Sequence, residues 1–258
     1  MGLDVDPRAI SRVAQRLARF GDRALLIQSN FSHIAEVAKE HDFEQVDGII
    51  FDLGVSSYHL EEAIQGFSFN KEGPLDMRMD PTVGLSAADI VNTMDVDELA
   101  DILYRYGEER RSRRIARAIV ANRPITTTTQ LADIVVRAIG RRPGARLHPA
   151  TRTFQALRIY VNDELNALET ALPQAVSLLK PGGILAVITF HSLEDRIVKH
   201  YFRQESRDCI CPPHSPICTC GHQAQIKVVH RKGMTPSPDE TARNPRSRSA
   251  RLRAACKL

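Results

Sequence analysis

Asp52 closes an apolar run, Gly48-Ile49-Ile50-Phe51, and is followed at once by Leu53-Gly54. A buried parallel strand that delivers one carboxylate at its C-terminal end is the usual geometry of an α/β active site. Asp-x-Gly after an apolar run is also a common plain turn, so both readings stand here. Asp4 ends a shorter apolar stub. In a parallel nucleotide-binding sheet, an acid at the end of a second strand bonds the two ribose hydroxyls of an adenine nucleoside, and Asp4 is placed for that. Its neighbour Asp6 is expected to face solvent or to begin the following helix. Ser192 and Asp195, after the run Ile184 to Phe190, have capping-box-like spacing, which favours a capping role for Ser192 over a catalytic one.

Two further clusters carry chemistry. Cys209-Ile210-Cys211 and Cys218-Thr219-Cys220 place four of the five cysteines within twelve residues, with His214 and His222 close by. Four thiols in two pairs can hold a tetrahedral Zn²⁺, but C-x-C is tighter than the common C-x₂-C. Reduced structural thiols or a redox-labile loop are the competing readings, and no metal site is assigned. The second cluster is basic. Arg110, Arg111, Arg113, Arg114 and Arg117 share one helical segment. Residues 227–258 hold nine Lys/Arg (Lys227, Arg231, Lys232, Arg243, Arg246, Arg248, Arg251, Arg253, Lys257) against Asp239 and Glu240. A tail of this kind suggests a polyanion partner, against the plainer reading of a solvated surface.

The elements that must position these residues follow from pattern. Over 258 residues the chain is 43% hydrophobic and 26% charged with a net charge of +4, an ordinary globular composition. Its longest apolar run is far short of a membrane span. Met1 leads into Gly-Leu-Asp-Val-Asp-Pro with no apolar h-region, so a cytoplasmic protein is expected. A helix is expected from Pro7 to about Phe20, with Ile10, Val13, Leu17 and Phe20 on one stripe. A strand at Ala24–Ile27, a helix at Ile34–Lys39 and a strand at Val46–Asp52 complete a βαβ rhythm, which predicts a parallel sheet with right-handed crossovers. The Val46–Asp52 and Ile184–Phe190 strands are expected to be buried.

Residues 60–84 look irregular, and their Phe and Met content argues for order. From Ser86 to Gly140 the pattern is helical. Ser86 and Asp95 are expected caps, Glu108–Asn122 a third helix, and Thr128 or Thr129 the start of a fourth. Arg141-Arg142-Pro143-Gly144 reads as an exit linker. Helix is expected from Thr151 to about Leu179, then a stop at Lys180-Pro181-Gly182-Gly183. Ile226–Val229 is a late strand, with Ser249–Arg253 pairing near it. The expected organisation is an α/β sheet domain from 1–84 and 146–258, with an all-helical insertion at 85–145.

Taken together, GIIFDLGVSS, GFSF, GPLDMRMD, YGEER, RIARAIV, HPATRTFQALRIYVNDEL, FHSLEDRIVK and the tail NPRSRSARLR resemble the bacterial small-subunit rRNA (cytosine-N4-)-methyltransferase H family. The match runs in order along nearly the whole chain from Asp4. The resemblance implies a Rossmann-like, S-adenosyl-L-methionine-dependent enzyme whose helical insertion helps to recognise substrate. It would methylate the exocyclic N4 of one cytidine in the decoding region of small-subunit rRNA, in free RNA or in the 30S subunit. It also implies cofactor contacts at Asp4 with the ribose, Phe31 beside the adenine, Asp52, and His59, which stands where many relatives have Gln. The sequence leaves the oligomeric state open, with a homodimer as one candidate assembly.

The chemistry agrees. A cytosine amine is a poor nucleophile, because its lone pair is delocalised into the ring. It needs in-line placement and acceptors for its N–H groups. Asp52 is the expected acceptor and catalytic residue, and Phe67, Phe69 or Tyr58 are candidates to stack on an unstacked base. The Arg-rich helix and the tail would contact phosphates. The competing class is a non-catalytic rRNA-binding protein that has lost the cofactor site. A zinc-stabilised nucleic-acid-binding module built on Cys209–Cys220 leaves Asp52 unexplained.

The family's first strand and Gly-Gly-His loop have no counterpart in the sequence. A start codon assigned too far downstream would explain this. The expected consequences are a gap in the sheet between its second and fourth strands and weak cofactor binding by this chain.

Overall fold

The computed structural model describes the chain except Val83, Arg142, Pro143, Ala145, Arg146, Pro213, His214 and Pro216, and the side chains of Ser57 and Leu60. Part of the expected exit linker and His214 therefore lie outside the described residues. In chain order the elements are β1 (Gly2–Asp4), α1 (Pro7–Leu17), β2 (Leu26–Gln28), α2 (Ile34–Glu40), β3 (Val46–Asp52) and α3 (Ser57–Glu61). The helices α4 (Ala87–Thr93), α5 (Val96–Gly107), α6 (Ser112–Ala121), α7 (Thr128–Ile139), α8 (Thr151–Val161) and α9 (Glu164–Leu178) follow. Then come β4 (Leu179–Thr189), α10 (Ser192–Glu205), β5 (Ile226–Val228), α11 (Pro238–Arg243) and β6 (Arg251–Lys257). Two compact units result: residues 1–54 with 165–258, and residues 55–164.

The first unit is a mixed α/β, Rossmann-like arrangement. β1 pairs with β2 in parallel, Asp4 opposite Gln28. β3 pairs with β4 in parallel, and β4 with β6 and β6 with β5 antiparallel. The expected parallel sheet is thus two sheets, with an antiparallel half contributed by the C-terminal tail. The described strands of the β1–β2 pair make no ladder with β3. β3 consequently has one unpaired edge among the described residues, and its expected burial does not extend to both faces. Phe51 is buried at 6% exposure, whereas Ile50 stands 66% exposed. β4 likewise buries only alternate residues: Leu185 and Val187 are inside and Ile184 is exposed.

The covered sheet face carries Phe51, Leu185, Val187 and Ala255, packed with Ile34 and Ala38 of α2, Leu172 and Val176 of α9, and Val198 and Phe202 of α10. The α1 stripe does not belong to a closed core, since none of its residues is buried. Asp6 caps α1 by accepting from the Arg8 N–H, and it is 3% exposed, so it begins the helix but does not face solvent. The turn at Lys180–Gly183 is absorbed into β4 as an irregularity. Val46 pairs with Leu179 and Gly48 with Ile184, leaving the intervening residues looped out.

The second unit is helical, and it is wider than residues 85–145 because the flanking segments share its core. Phe67, Leu75 and Met77 from the irregular stretch, and Phe154 and Leu157 from α8, pack with Leu99, Leu103, Ile115, Ile119 and Leu131. Ser86 caps α4 and Asp95 caps α5 as expected. α7 opens at Thr128 as expected, Thr127 caps it through a box with Gln130, and Gly140 is its C-cap. The long helix expected after Thr151 breaks at Asn162-Asp163, where Asp163 takes φ 48°. Asn162 is diverted to pin the irregular stretch: its amide donates to Met77 O at 2.8 Å, and its carbonyl accepts from Met79 N at 2.8 Å. Among the described residues no helix is long and apolar enough to cross a membrane.

Candidate active site

The acids chosen from sequence stand at the C-terminal ends of parallel strands. Asp4 ends β1, where its carboxylate accepts from Asp6 N at 2.8 Å and its carbonyl accepts from Ser29 N at 3.1 Å. That second bond ties the β1 end to the loop after β2. Phe31 opens a short 3₁₀ turn capped by the Asn30 side chain, and its ring lies 5.5 Å from Phe51. The ring contact brings the β2 exit beside β3, one residue before Asp52.

Asp52 ends β3 opposite Ile188. Its side chain opens to solvent at the strand end, yet the surroundings remove enough water to push its pKa above the ordinary carboxylate range. A carboxyl in that condition is a better hydrogen-bond and proton acceptor than a fully solvated one. Leu53 N donates to Ile188 O at 3.1 Å, which carries the β3 end past the ladder. Gly54 then turns with φ +87°, a conformation that suits glycine.

Beside it, the end of β4 opens into a pocket of about 480 Å³ lined by Phe190, His191, Ser192, Asp195, Arg196, Lys199, Ser249 and Arg251. The cap of α10 shapes this pocket and differs from expectation by one residue. His191, not Ser192, is the N-cap, boxed with Glu194. Glu194, 2% exposed, accepts from Phe190 N at 2.7 Å and from His191 N at 3.2 Å. Asp195, one position on, is free to face β6. It holds Arg253 through two bonds of 2.7 and 3.0 Å, and Arg251 at 3.2 Å.

Burial raises the Asp195 pKa, but hydrogen bonds and charge from Arg253 and Arg251 outweigh it and hold the carboxyl below its usual range. Arg253 is 4% exposed, so part of the basic tail read from sequence as a polyanion contact is instead a sheet strand with an internal ion pair. Pattern could not have found this pair, because its members stand 58 residues apart.

The other expected site residues fall in the helical unit. His59 is buried, its Nδ1 accepts from Ser56 N at 3.2 Å to complete the α3 capping box, and its ring lies 5.0 Å from Phe67. Two of the three candidate stacking rings are structural: Phe67 is buried on His59, and Phe69 packs on His148 and Phe154 at 4.6 and 4.9 Å. Tyr58 remains exposed. On α6, Ile115, Ala116 and Ile119 point inward while Arg113, Arg114 and Arg117 lie on the exposed face. Arg111 turns in and donates to Ile139 O at 2.7 Å.

Several quoted motifs prove to be scaffold. In YGEER, a β-carbon on Gly107 would lie 2.6 Å from Arg152 O. In GPLDMRMD, Leu75 and Met77 are fully buried. Near the end of HPATRTFQALRIYVNDEL, Arg158 grips Glu164 at 2.8 and 2.9 Å.

Comparison with known proteins matches residues 1–258 to the MraW methylase family. A protein of Dehalococcoides mccartyi named ribosomal RNA small subunit methyltransferase H is 54% identical over 99% of this chain and 73% of its own length. Proteins of the same name from Thermomicrobium roseum and Carboxydothermus hydrogenoformans are 53% and 51% identical, over 99% and 100% of this chain and 79% and 84% of theirs. A match of this extent, together with the strand-end carboxylates, assigns the chain: it belongs to the MraW methylase family.

Proposed function

We propose that the protein transfers a methyl group from S-adenosyl-L-methionine to the exocyclic N4 of a cytidine in the decoding region of small-subunit rRNA. The observation that carries this reading is Asp52, an accessible but desolvated carboxyl at the end of a parallel strand, beside a basic pocket. The residues fit the nucleoside half of the cofactor: Asp4 for the ribose hydroxyls and Phe31, held against Phe51, for the adenine. No described residue is assigned to its methionyl half. When bound, the cofactor supplies an activated methyl on a sulfonium.

The protein's own residues do the rest. Asp52 accepts an N–H of the cytosine amine, which localises the nitrogen lone pair and fixes the attack line. The pocket cations Arg196, Lys199 and Arg251 suit a backbone phosphate of the same nucleotide, while Asp195 limits their net charge. Arg113, Arg114 and Arg117 form a separate phosphate-contacting face on the helical unit. The small-subunit rRNA named for the relatives is the substrate this electropositive arrangement suits.

Calorimetric titration of the full-length gene product with S-adenosylhomocysteine tests the cofactor assignment. Binding that Asp4→Ala weakens supports it. Absence of binding, with rRNA affinity retained, favours a non-catalytic RNA-binding protein.

A further inference from the structure

We propose that Cys209, Cys211, Cys218 and Cys220 form a structural Zn²⁺ site in the loop between α10 and β5. All four sulfurs lie within 4.8 Å of one another, with Cys218–Cys220 at 3.6 Å, Cys209–Cys220 at 3.9 Å and Cys211–Cys218 at 4.0 Å. Zn–S bonds of about 2.3 Å in a tetrahedron require sulfurs about 3.8 Å apart, so these spacings suit one central ion. They are too long for disulfides, whose sulfurs stand about 2 Å apart, and all four cysteines are free.

The backbone supports thiolates. The middle N–H of each C-x-C pair reaches the last sulfur of the other pair: Ile210 N donates to Cys220 Sγ at 3.4 Å, and Thr219 N to Cys211 Sγ at 3.5 Å. This reciprocal pattern is what stabilises the negative charge of metal-bound sulfur. It also explains how the tight C-x-C spacing succeeds. Each pair contributes one edge of the tetrahedron, and the loop between the pairs brings the two edges together.

The loop needs such a clasp. Gln225 N donates to Glu205 O at 2.8 Å and closes its base. Between those residues no described residue is buried, so no apolar core offsets the cost of ordering, about 1–2 kcal/mol per residue. A long loop without secondary structure inside a compact domain calls for another source of order, and a four-thiolate ion supplies it. A tetrahedral all-sulfur site suits zinc or iron. Zinc is the assignment, because the role is structural closure.

Elemental analysis of the untagged full-length protein should find one zinc per chain. Cys209→Ser and Cys220→Ser should each reduce zinc to background, and Cys256→Ser, on β6, should leave it unchanged. Should the cysteine variants fold poorly, Co²⁺ added to the zinc-stripped wild-type protein should give the intense visible bands of a tetrahedral thiolate site. Zinc-free protein whose four thiols react at once with a thiol reagent, or two disulfides found by mass spectrometry, would overturn the proposal. Iron in place of zinc would overturn the metal assignment.

Discussion

Replacing Asp195 with alanine should destabilise the protein far more than an ordinary surface ion pair would suggest. Two of the three bonds it makes go to Arg253, whose side chain is 5% exposed, at 2.7 and 3.0 Å. The third goes to Arg251, 42% exposed, and contributes little because water competes for it. With Asp195 gone, the Arg253 guanidinium stays inside the β4–β6 ladder without a counter-charge. Breaking a buried pair in this way costs about 3–5 kcal/mol. Against a typical total of about 5–15 kcal/mol this is a large fraction. At about 2–4 °C per kcal/mol for a chain of this size, the melting temperature should fall by roughly 6–20 °C.

The pH dependence has a defined sign. Asp195 has a depressed folded pKa, so its contribution is complete above its unfolded value of about 3.9 and is lost as pH falls through the folded value. Urea unfolding of the wild type, Asp195→Ala and Asp195→Leu/Arg253→Met at pH 7 measures the effect. The double variant, which removes both charges, should recover most of the loss. A single-variant loss below about 1 kcal/mol, the range of exposed pairs, would refute the reasoning.

Three other outcomes are expected. Asp52→Asn should lower the rate constant for methyl transfer by about 10²–10³, the usual cost of one well-placed polar partner. In the wild type the acid limb of the rate profile should lie above about pH 3.9, because desolvation raises the Asp52 pKa, and the variant should lose that limb. Reversing Arg113, Arg114 and Arg117 to Glu should weaken rRNA binding in filter-binding assays and reduce the log–log salt slope by about 2–3, one step per lost phosphate contact. Gly66→Ala should destabilise the helical unit by at least about 1–2 kcal/mol in thermal melts. Gly66 has φ +70°, and a β-carbon there would collide with the carbonyl oxygen of Pro74.

What the sequence revealed and concealed divides along physical lines. Ser86 and Asp95 were legible as caps because short polar side chains satisfy the first-turn N–H groups locally. The α10 cap moved to His191 because a ring nitrogen can do the same work, an option that residue preference hides. β3 was legible as a strand from Gly48-Ile49-Ile50-Phe51, but its burial was not. Burial depends on which strands pair at its edges, and only β4 does among the described residues. Arg253 read as a tail charge because its partner is distant in the chain and close only once β6 pairs with β4. Phe67 and Phe69 read as candidate base stackers because an aromatic in a loop looks available until its neighbours are known. The four thiols were visible as two pairs, yet their suitability for one ion rests on spacings across the loop that sequence does not carry.

The most direct test of the central claim is to incubate the full-length gene product with methyl-labelled S-adenosyl-L-methionine and small-subunit rRNA, free and in 30S particles, beside Asp52→Asn. Mass spectrometry of the digested nucleosides then reads the product. The account predicts labelled N4-methylcytidine from the wild type and a loss of about 10²–10³ in the variant. Label on another nucleoside, or an undiminished rate in Asp52→Asn, would contradict it.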